Sequence, residues 1–599
     1  MNSIYQISKI LTNKEKQNAF ILLFLMFIMA IVDSLGVVSI MPFMKIISNQ
    51  NIIDSNIYLN FVYKNLRFHN KKSFIYFLGI SIFLFMIFSM IFKSITTYYQ
   101  LRFTLMREFA IGERLLKTYF NQPYEWFLNK NSSVLGKNIL SEIEKVINGS
   151  FMPLLNIISN SFISLLILTM LFIINFKLAI TIGSIFFIVY LVIFKFFRNF
   201  LAKMSNDNLI ANALRFKIIN EAFGGIKEVK VFNVENIFLE KYKIPAITYA
   251  KNLSLTQIIG QLPRYIIETI AFGGIIILIL YLMFIGGYEI TNIIPLLSLY
   301  VFAGYKLMPA LQQIYNNTIY FKFAKSALNN LYYEIVNYKN NSNFEVISNN
   351  IIFENTIELK NITYYYPDTK KAAIDKLNLK INSKTTIGIV GHTGSGKTTL
   401  IDLLLGLLLP SEGSFIVDDK LLIEKSNLNN WRKSIGYVPQ SIFLIDDTIE
   451  ANIAFGIPRN LINKSAVENA AKIANLLDFI NNDLPDKFQT KVGERGIMLS
   501  GGQRQRIGIA RALYYSPSLL ILDEATSALD NITEREVMNA ISTIAKSITI
   551  IIIAHRLTTI KKCDQIYLLE KGKIINNGSF DELIKDSVLF RKMAILDNE

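Results

Sequence analysis

The sequence predicts a bundle of membrane-spanning α-helices followed by an α/β domain of the P-loop type. Three observations lead to this fold class. Hydrophobic residues make up 52% of the 599 residues, which is too apolar for a soluble chain of this length. Six long apolar stretches fall in the first half of the chain, and the phosphate-loop pattern GHTGSGKT falls in the second half.

Each apolar stretch approaches or exceeds the roughly 20 residues that cross a bilayer as a helix. Together they predict a six-span helical domain over residues 1–336. The predicted spans are Phe20–Ile47, Phe74–Phe92, Phe151–Ile174, Leu178–Phe197, Tyr265–Ile285 and Ile290–Met308.

The orientation of the spans follows from the distribution of Lys and Arg. The segments that join spans two to three and four to five are long and basic, with Arg102, Arg107, Lys217 and Lys230 among their charges. The turns at residues 175–177 and 286–289 are short and nearly uncharged. Positive residues concentrate on the cytoplasmic side, so both long segments and both termini are predicted to be cytoplasmic.

An Asn-rich stretch, residues 337–356, is the predicted linker between the two domains. The α/β domain is predicted to follow over residues 357–599. Its location after an even number of spans places it in the cytoplasm.

Charge and cysteine content exclude several classes of function. The net charge of +16 fits contact with anionic lipid, or simply a Lys-rich composition, and no motif suggests nucleic-acid binding. The single cysteine, Cys563, excludes an intramolecular disulfide. The three histidines and this cysteine have no metal-ligand spacing, which argues against a zinc site.

The phosphate loop, Gly391–Thr398, follows the strand-like run Thr386–Val390 and opens the helix-like run Thr399–Leu409. In this context backbone N–H groups cradle phosphates at a helix N-terminus. Lys397 is predicted to reach the β- and γ-phosphates and Thr398 to hold Mg²⁺. The side chain of His392 is expected to face solvent. The predicted nucleotide-binding residues of this region are Gly391, His392, Thr393, Gly394, Ser395, Gly396, Lys397, Thr398 and Thr399.

A second motif, LSGGQ at Leu499–Gln503, is followed by the apolar run LLILDE. With these motifs the chain resembles the ATP-binding-cassette (ABC) ATPases from Ile357 to Glu599. The resemblance implies that Ser500, Gly501, Gly502 and Gln503 also contact the nucleotide. It further implies ATP and Mg²⁺ as cofactors.

The resemblance also implies roles for residues outside these two motifs. Tyr366 would stack on adenine, and Asp523 would hold Mg²⁺ together with Thr398 and Gln440. Glu524 would orient or deprotonate the attacking water, and His555 would contact the γ-phosphate. The catalytic set is therefore Glu524, His555 and Gln440, and Glu494 and Ser527–Asp530 match further family motifs.

Long cytoplasmic segments between spans resemble those of ABC exporters, in which a short transverse helix in each segment docks on the ATPase. Pro123–Leu135 and Glu221–Phe232 are the matching stretches, although each is also compatible with an ordinary amphipathic surface turn. One membrane half and one ATPase make half a transporter. With both parts of the ATP site intact, a homodimer is the simplest assembly, and a heterodimer stays open.

Charged residues within the spans are candidates for substrate binding, because burying a charge in a bilayer is costly. Lys93, Arg264 and Lys306 lie on three different spans and would together line a basic cavity. Arg264 and Glu268 are spaced to pair on one helical face, and Asp33 interrupts span one. The alternatives are snorkelling of Lys93 to the interface and a purely structural Arg264–Glu268 pair.

Membrane fragments such as DSLGVVSIMPF and PRYIIETIAFGG resemble bacterial lipid-linked oligosaccharide flippases of the PglK type. In that group the cavity positions carry arginine, whereas two of the three are lysine here, and lysine lacks the bidentate fork of arginine. The external segment Asn51–Phe68 fits a short interfacial helix, or a plain connecting loop.

The sequence therefore predicts an ATP-driven homodimeric exporter or flippase in a bacterial inner membrane. Its favoured substrate is an anionic lipid-linked (polyprenyl-pyrophosphate) oligosaccharide or related glycolipid. Export of another lipid, a drug or a peptide stays open. From another class, an ABC-gated channel or regulator also stays open.

Overall fold

The computed structural model describes residues 2–48, 50–174, 176–284, 290–337, 351, 353–367, 369–419, 421–424, 426–493, 496–525, 531–544, 547–554 and 556–596. The chain forms two compact units. The helical unit comprises Met1–Gln122 and Lys130–Ser342, and the α/β unit comprises Pro123–Asn129 and Asn343–Glu599. Most of the predicted linker, residues 338–350 and 352, lies outside the described residues.

The first half of the chain is almost entirely helical. Its helices are α1 (Asn2–Ile10), α2 (Asn13–Val38), α3 (Ile40–Ser48), α4 (Ile52–Ser55), α5 (Ile57–Asn65), α6 (Lys71–Phe120), α7 (Tyr124–Leu128), α8 (Ser132–Lys137), α9 (Ile143–Val146), α10 (Met152–Ile174), α11 (Phe176–Gly224), α12 (Ile226–Val231), α13 (Glu235–Phe284), α14 (Ile290–Phe323) and α15 (Lys325–Asn337).

Within the described part of the chain, three helical stretches are long and apolar enough to span a membrane. They are Asn13–Ile47, Lys71–Phe120 and Ser132–Ile173, and they contain predicted spans one to three. Predicted spans four to six fall on α11, α13 and α14, which run for 49, 50 and 34 residues. Predicted span five ends at Ile285, which lies outside the described residues.

The predicted first span is not one continuous helix. It breaks at Ser39, between α2 and α3, close to Pro42. Proline has no N–H to donate to the carbonyl four residues earlier, and its ring crowds that carbonyl. At this break the Ser39 hydroxyl donates to the carbonyl of Gly36 at 2.8 Å.

The predicted external segment, Asn51–Phe68, forms two short helices, α4 and α5. Ile53 is buried beside Ile46 and Phe74 and so anchors the segment to the helical unit. Ile57 and Phe61 of α5 are instead exposed. The segment is therefore helical, with an uncovered apolar face.

Two stretches of wider π-type turn, Asn138–Glu142 and Ile147–Phe151, interrupt the helical run that leads into α10. Glu142 ends the first stretch, and its side chain is 1% exposed. Its carboxylate lies 3.1 Å from the ammonium of Lys145 and 3.8 Å from that of Lys137. Turns of this kind occur frequently at functional sites.

The α/β unit contains two sheets. The strands are β1 (Thr356–Tyr364), β2 (Ile374–Asn382), β3 (Thr386–Val390), β4 (Glu412–Val417), β5 (Leu421–Leu422), β6 (Ile435–Val438), β7 (Leu519–Asp523), β8 (Thr549–Ile553), β9 (Gln565–Glu570) and β10 (Lys573–Gly578). The first sheet is antiparallel in the order β2-β1-β4-β5. The second has the order β10-β9-β3-β8-β7-β6 and is parallel except for β10.

Helices pack around these sheets. They are α16 (Lys397–Leu404), α17 (Leu428–Arg432), α18 (Ile449–Ile453), α19 (Lys464–Ile473), α20 (Leu477–Asn482), α21 (Gly501–Tyr514), α22 (Asn531–Ile544), α23 (Leu557–Ile560), α24 (Phe580–Asp586) and α25 (Val588–Leu596). The central strand β8 is buried along its whole length, as expected for a parallel strand covered on both faces. The carboxyl ends of β3, β6 and β7 meet at one edge, where ligands bind in sheets of this kind.

Candidate nucleotide site

The phosphate loop joins β3 to α16, as the sequence predicts. Its glycines are required by space and by backbone conformation. A Cβ on Gly391 would lie 2.2 Å from the carbonyl oxygen of Leu569, so no larger residue fits there. Gly394 and Gly396 have φ angles of +78° and +107°, which favour glycine. The helix that follows ends at Leu404, earlier than the predicted Leu409, because Gly406 has a left-handed conformation (φ +64°) that terminates it.

Lys397 lies over this loop. Its ammonium donates to the carbonyl oxygens of Gly391, at 2.6 Å, and His392, at 3.2 Å. Burial lowers the pKa of Lys397, and the carboxylates of Glu524 and Asp523 act in the opposite direction. A buried ammonium whose hydrogen bonds, among the described residues, go to neutral carbonyls is suited to accept an anion.

The side chains of the loop also fit a phosphate ligand. The hydroxyl of Ser395 is buried and has no hydrogen-bond partner among the described residues. Buried polar atoms are normally satisfied, so this hydroxyl and the glycine-lined cradle match a ligand rich in acceptor oxygens. His392 and Thr398 are exposed, as predicted for His392.

The acidic side of the site lies at the ends of β6 and β7. Gln440 donates from Nε2 to Oε2 of Glu524 at 2.6 Å, and the Tyr437 hydroxyl donates to Oδ2 of Asp523 at 3.4 Å. Glu524 has a left-handed backbone (φ +50°), which turns the chain directly after the strand. Burial, with the charge of Asp523, raises the pKa of Asp402 to about 6. The structure thus brings together three predicted residues, Gln440, Asp523 and Glu524.

Tyr366 lies beside the phosphate loop. Its hydroxyl is 3.0 Å from the hydroxyl of Thr399, in the first turn of α16. Its ring meets that of Tyr364 edge to face, with 5.1 Å between centroids. Tyr366 is half-buried, so part of its ring stays open to a ligand.

The LSGGQ motif forms the N-terminus of α21. Ser500 caps the helix: its hydroxyl accepts from the N–H of Gln503 at 3.2 Å, while Oε1 of Gln503 accepts from the N–H of Ser500 at 2.8 Å. Among the described residues, the hydrogen bonds of Ser500 stay within its own helix. The motif is therefore a rigid, exposed helix end. His555, Glu494 and Ser527–Asp530 lie outside the described residues.

The first transverse helix belongs with the α/β unit. The stretch assigned to this unit is Pro123–Asn129, which is shorter than the predicted Pro123–Leu135 because α8 begins at Ser132 and lies in the helical unit. The hydroxyl of Tyr364 donates to Oε1 of Glu125 at 2.8 Å. Sequence reasoning missed this contact, since nothing local marks two residues this far apart as partners.

The three candidate substrate cations differ in their surroundings. Arg264 pairs with Glu268 at 2.7 Å on the exposed surface of α13, as the spacing predicts. Lys93 is exposed on α6. Lys306 lies 2.6 Å from the carboxylate of Asp33 on α2. The sequence marks both residues as charges within spans, but the pairing between spans one and six carries no sequence signal.

Comparison with known proteins identifies the family. The ABC transporter family model matches residues 374–527, and the model of the ABC transporter transmembrane region matches residues 20–299. The ATP-dependent lipid A-core flippase of Wigglesworthia glossinidia brevipalpis is 31% identical over 486 residues, which cover 81% of this chain and 82% of that protein. The heterocyst differentiation ATP-binding protein HepA of a Nostoc species is 30% identical over 491 residues, which cover 81% of this chain and 78% of that protein.

A solved structure supports the fold. The structure of a bacterial Atm1-family ABC exporter with ATP bound aligns with a TM-score of 0.79 and 22% identity, over 98% of this chain and 99% of that one. The predicted fold class is therefore confirmed: a helical membrane bundle joined to an α/β P-loop ATPase. The chain belongs to the ABC transporter family and is an exporter in which a transmembrane region is fused to an ABC ATPase that drives transport with ATP.

Proposed function

We propose that this exporter is a flippase that moves an anionic lipid-linked glycan, such as a polyprenyl-pyrophosphate oligosaccharide, across a bacterial inner membrane. The observation that carries the proposal is the presence of three cations, Lys93, Arg264 and Lys306, on three helices of the predicted membrane region. Charged residues within spans are functional candidates by default, and three cations favour an anionic ligand. The lipid A-core flippases among its relatives support a lipid substrate.

The geometry of the nucleotide site supports the following roles. Lys397 and the loop N–H groups bind the phosphates of ATP, and Tyr366 stacks on adenine. Thr398, Gln440 and Asp523 supply hydroxyl, amide and carboxylate oxygens, which suit Mg²⁺, and this ion neutralises phosphate charge. Glu524 orients the attacking water or accepts its proton, and Gln440 holds the Glu524 carboxylate in place at 2.6 Å. His555 lies outside the described residues, and its contact with the γ-phosphate is proposed from the family resemblance alone.

The working unit is proposed to be a homodimer with composite ATP sites. Ser500 and Gly502 of one subunit would face the phosphate loop of the other. The exposed helix end formed by Ser500 supports this role, because its surface is available to the nucleotide bound by the partner subunit. Placement of the ATPase in the cytoplasm follows from the basic cytoplasmic segments.

The composite-site proposal can be tested by mixing subunits. One heterodimer carries Ser500→Arg in one subunit and Lys397→Ala in the other, which leaves one site intact. The matched control carries both changes in a single subunit opposite a wild-type partner, which damages both sites. We expect partial ATPase activity in the first heterodimer and background activity in the second. Equal activity in the two would contradict shared sites.

The substrate proposal is tested by reconstituted flipping of a pyrophosphate-linked glycolipid, expressed per ATP hydrolysed. Lys93→Ala and Arg264→Ala are expected to lower this ratio several-fold. Arg264→Lys keeps a positive charge beside Glu268. It therefore separates an effect on substrate binding from the loss of the Arg264–Glu268 ion pair, whose atoms lie 2.7 Å apart. Lys251→Ala removes an exposed charge elsewhere on α13 and serves as the matched control. Unchanged flipping in both alanine variants would return the substrate to another lipid, a drug or a peptide.

An ABC-gated channel or regulator is the alternative from another class. The contact between Gln440 and Glu524 favours repeated ATP turnover, because it holds the proposed water-activating carboxylate in place. A channel would show ATP-dependent ion conductance in a planar bilayer, whereas a flippase would show glycolipid movement without conductance.

A further inference from the structure

Asp33 is an acidic residue within a predicted span, and its side chain is only 5% exposed. Its Oδ1 accepts a hydrogen bond from the ammonium of Lys306 on α14 at 2.6 Å. The same oxygen accepts from the hydroxyl of Ser89 on α6 at 3.4 Å. One carboxylate therefore joins three helices of the helical unit.

Stability alone is a weak explanation for this pair. A buried ion pair is often no better for folding than well-packed apolar side chains, because desolvation offsets the attraction. The neighbourhood is mostly apolar. Val37, Leu171 and Ala303 line a hollow together with Ser34, which follows Asp33 in the chain, and Ala303 precedes Lys306 by three residues. A charged pair retained in such surroundings is a functional candidate by default.

The two partners are unequally accessible. The Lys306 side chain is 36% exposed, whereas that of Asp33 is 5% exposed. A lysine ammonium has three donors, so an incoming anion can contact Lys306 before the bond to Asp33 breaks. An anion that reaches this site therefore encounters the cation first and competes with the carboxylate for it.

We propose that Asp33 is a displaceable counter-ion that neutralises Lys306 until a phosphate-bearing headgroup takes its place. This inference rests on the proposed function and adds the reason why the site accepts only some anions. A phosphate offers three acceptor oxygens and a charge of up to two, so it competes with a carboxylate where a neutral ligand does not. Competition of this kind gives specificity by penalising the wrong ligand.

Ser89 completes the arrangement. When Lys306 turns to the ligand, the Asp33 carboxylate still has the Ser89 hydroxyl as a donor. A buried carboxylate without any donor would be strongly disfavoured. Ser89 is therefore a positioning residue that lowers the cost of displacing Asp33.

The test measures lipid binding to the full-length protein in detergent micelles by native mass spectrometry. The probes are a synthetic polyprenyl pyrophosphate and phosphatidic acid. If Asp33 holds Lys306 in about nine tenths of the molecules, Asp33→Asn should tighten binding of both probes about tenfold. Ser89→Ala should weaken binding, while Ser94→Ala should not, because the Ser94 hydroxyl bonds to the Met90 carbonyl of its own helix.

A charge-swapped variant, Asp33→Lys with Lys306→Asp, covers the case in which Asp33→Asn does not fold. This variant keeps the ion pair but moves the cation to position 33, where the native side chain is only 5% exposed. Binding of both lipid probes should therefore weaken at least tenfold. Wild-type binding by this variant would mean that the pair only ties helices together and would overturn the inference. So would unchanged or weaker binding by folded Asp33→Asn.

Failure of the proposed function gives a different result. In that case the wild-type protein shows no preference for polyprenyl pyrophosphate over phosphatidic acid, while Asp33→Asn still tightens binding of both. The counter-ion role would then stand for a different phosphate-bearing lipid.

Discussion

The hydrogen bond between Tyr364 and Glu125 is expected to hold helix α7 on the α/β unit. The Tyr364 side chain is 1% exposed, and its hydroxyl lies 2.8 Å from the Glu125 carboxylate. Burial raises the pKa of Tyr364, and the bond to Glu125 raises it further, so the hydroxyl keeps its proton. Tyr364→Phe removes this donor with little change in shape.

The free energy that this hydrogen bond contributes follows from the chemistry of its two groups. A hydrogen bond to a charged group contributes about 1.5–3 kcal/mol, and partial exposure of Glu125 reduces this contribution to about 1–2 kcal/mol. Local opening of residues 124–128 should then become about 5- to 30-fold more frequent. Glu125→Gln should have a smaller effect, because its amide oxygen still accepts a bond.

Hydrogen exchange of the full-length protein in lipid nanodiscs measures this opening. Peptides that cover Tyr124–Leu128 should lose protection in Tyr364→Phe, while peptides from β8 serve as the internal reference. The double variant with Glu125→Ala should lose no more than the larger single effect, since both changes remove the same bond. Unchanged exchange in Tyr364→Phe, or strictly additive losses, would refute the reasoning.

Four further outcomes are expected. Lys397→Ala should lower ATPase turnover by about 100-fold or more. Glu524→Gln should keep ATP binding, measured by filter binding, but lose most turnover, measured by phosphate release. Near-normal turnover in Glu524→Gln would contradict its role. Burial raises the pKa of Cys563 to about 12, so the thiolate is a small fraction between pH 7 and 9. Native-state maleimide labelling should therefore be slow and should rise about tenfold per pH unit over this range without levelling off, whereas the denatured chain should label fast and begin to level off near pH 9. Gly391→Ala should abolish ATP binding measured by fluorescent-nucleotide titration, because its Cβ would lie 2.2 Å from the Leu569 carbonyl oxygen, and preserved affinity would show that the loop can shift.

The local structure around the candidate nucleotide site was largely predictable because its signals are local. The order of strand, glycine loop and helix around Lys397 follows from a short pattern, and β7 ends at Asp523 as the apolar run indicates. The end of α2 at Val38 could also have been inferred, since Pro42 stands four residues later.

Long-range pairing was not predictable. Asp33 and Lys306 are 273 residues apart, and their pairing depends on which faces of α2 and α14 meet. The same holds for Tyr364 and Glu125. The two π-type stretches near Glu142 also leave no pattern in the sequence. An extra residue in one turn only rotates the positions of the later side chains around the helix. Hydropathy locates spans, but it does not tell which side chains face each other.

Helix α7 has a consequence for how the protein is made. Its residues leave the ribosome long before the sheet on which they pack: 239 residues separate Glu125 from Tyr364. At about 5–20 residues per second, this interval lasts about 10–50 seconds. The growing chain must keep α7 exposed during that time, and an ATPase fragment expressed from residue 357 onward would lack it altogether. Synthesis of the two units is therefore sequential, but completion of the α/β unit requires a segment contributed by the first half of the chain.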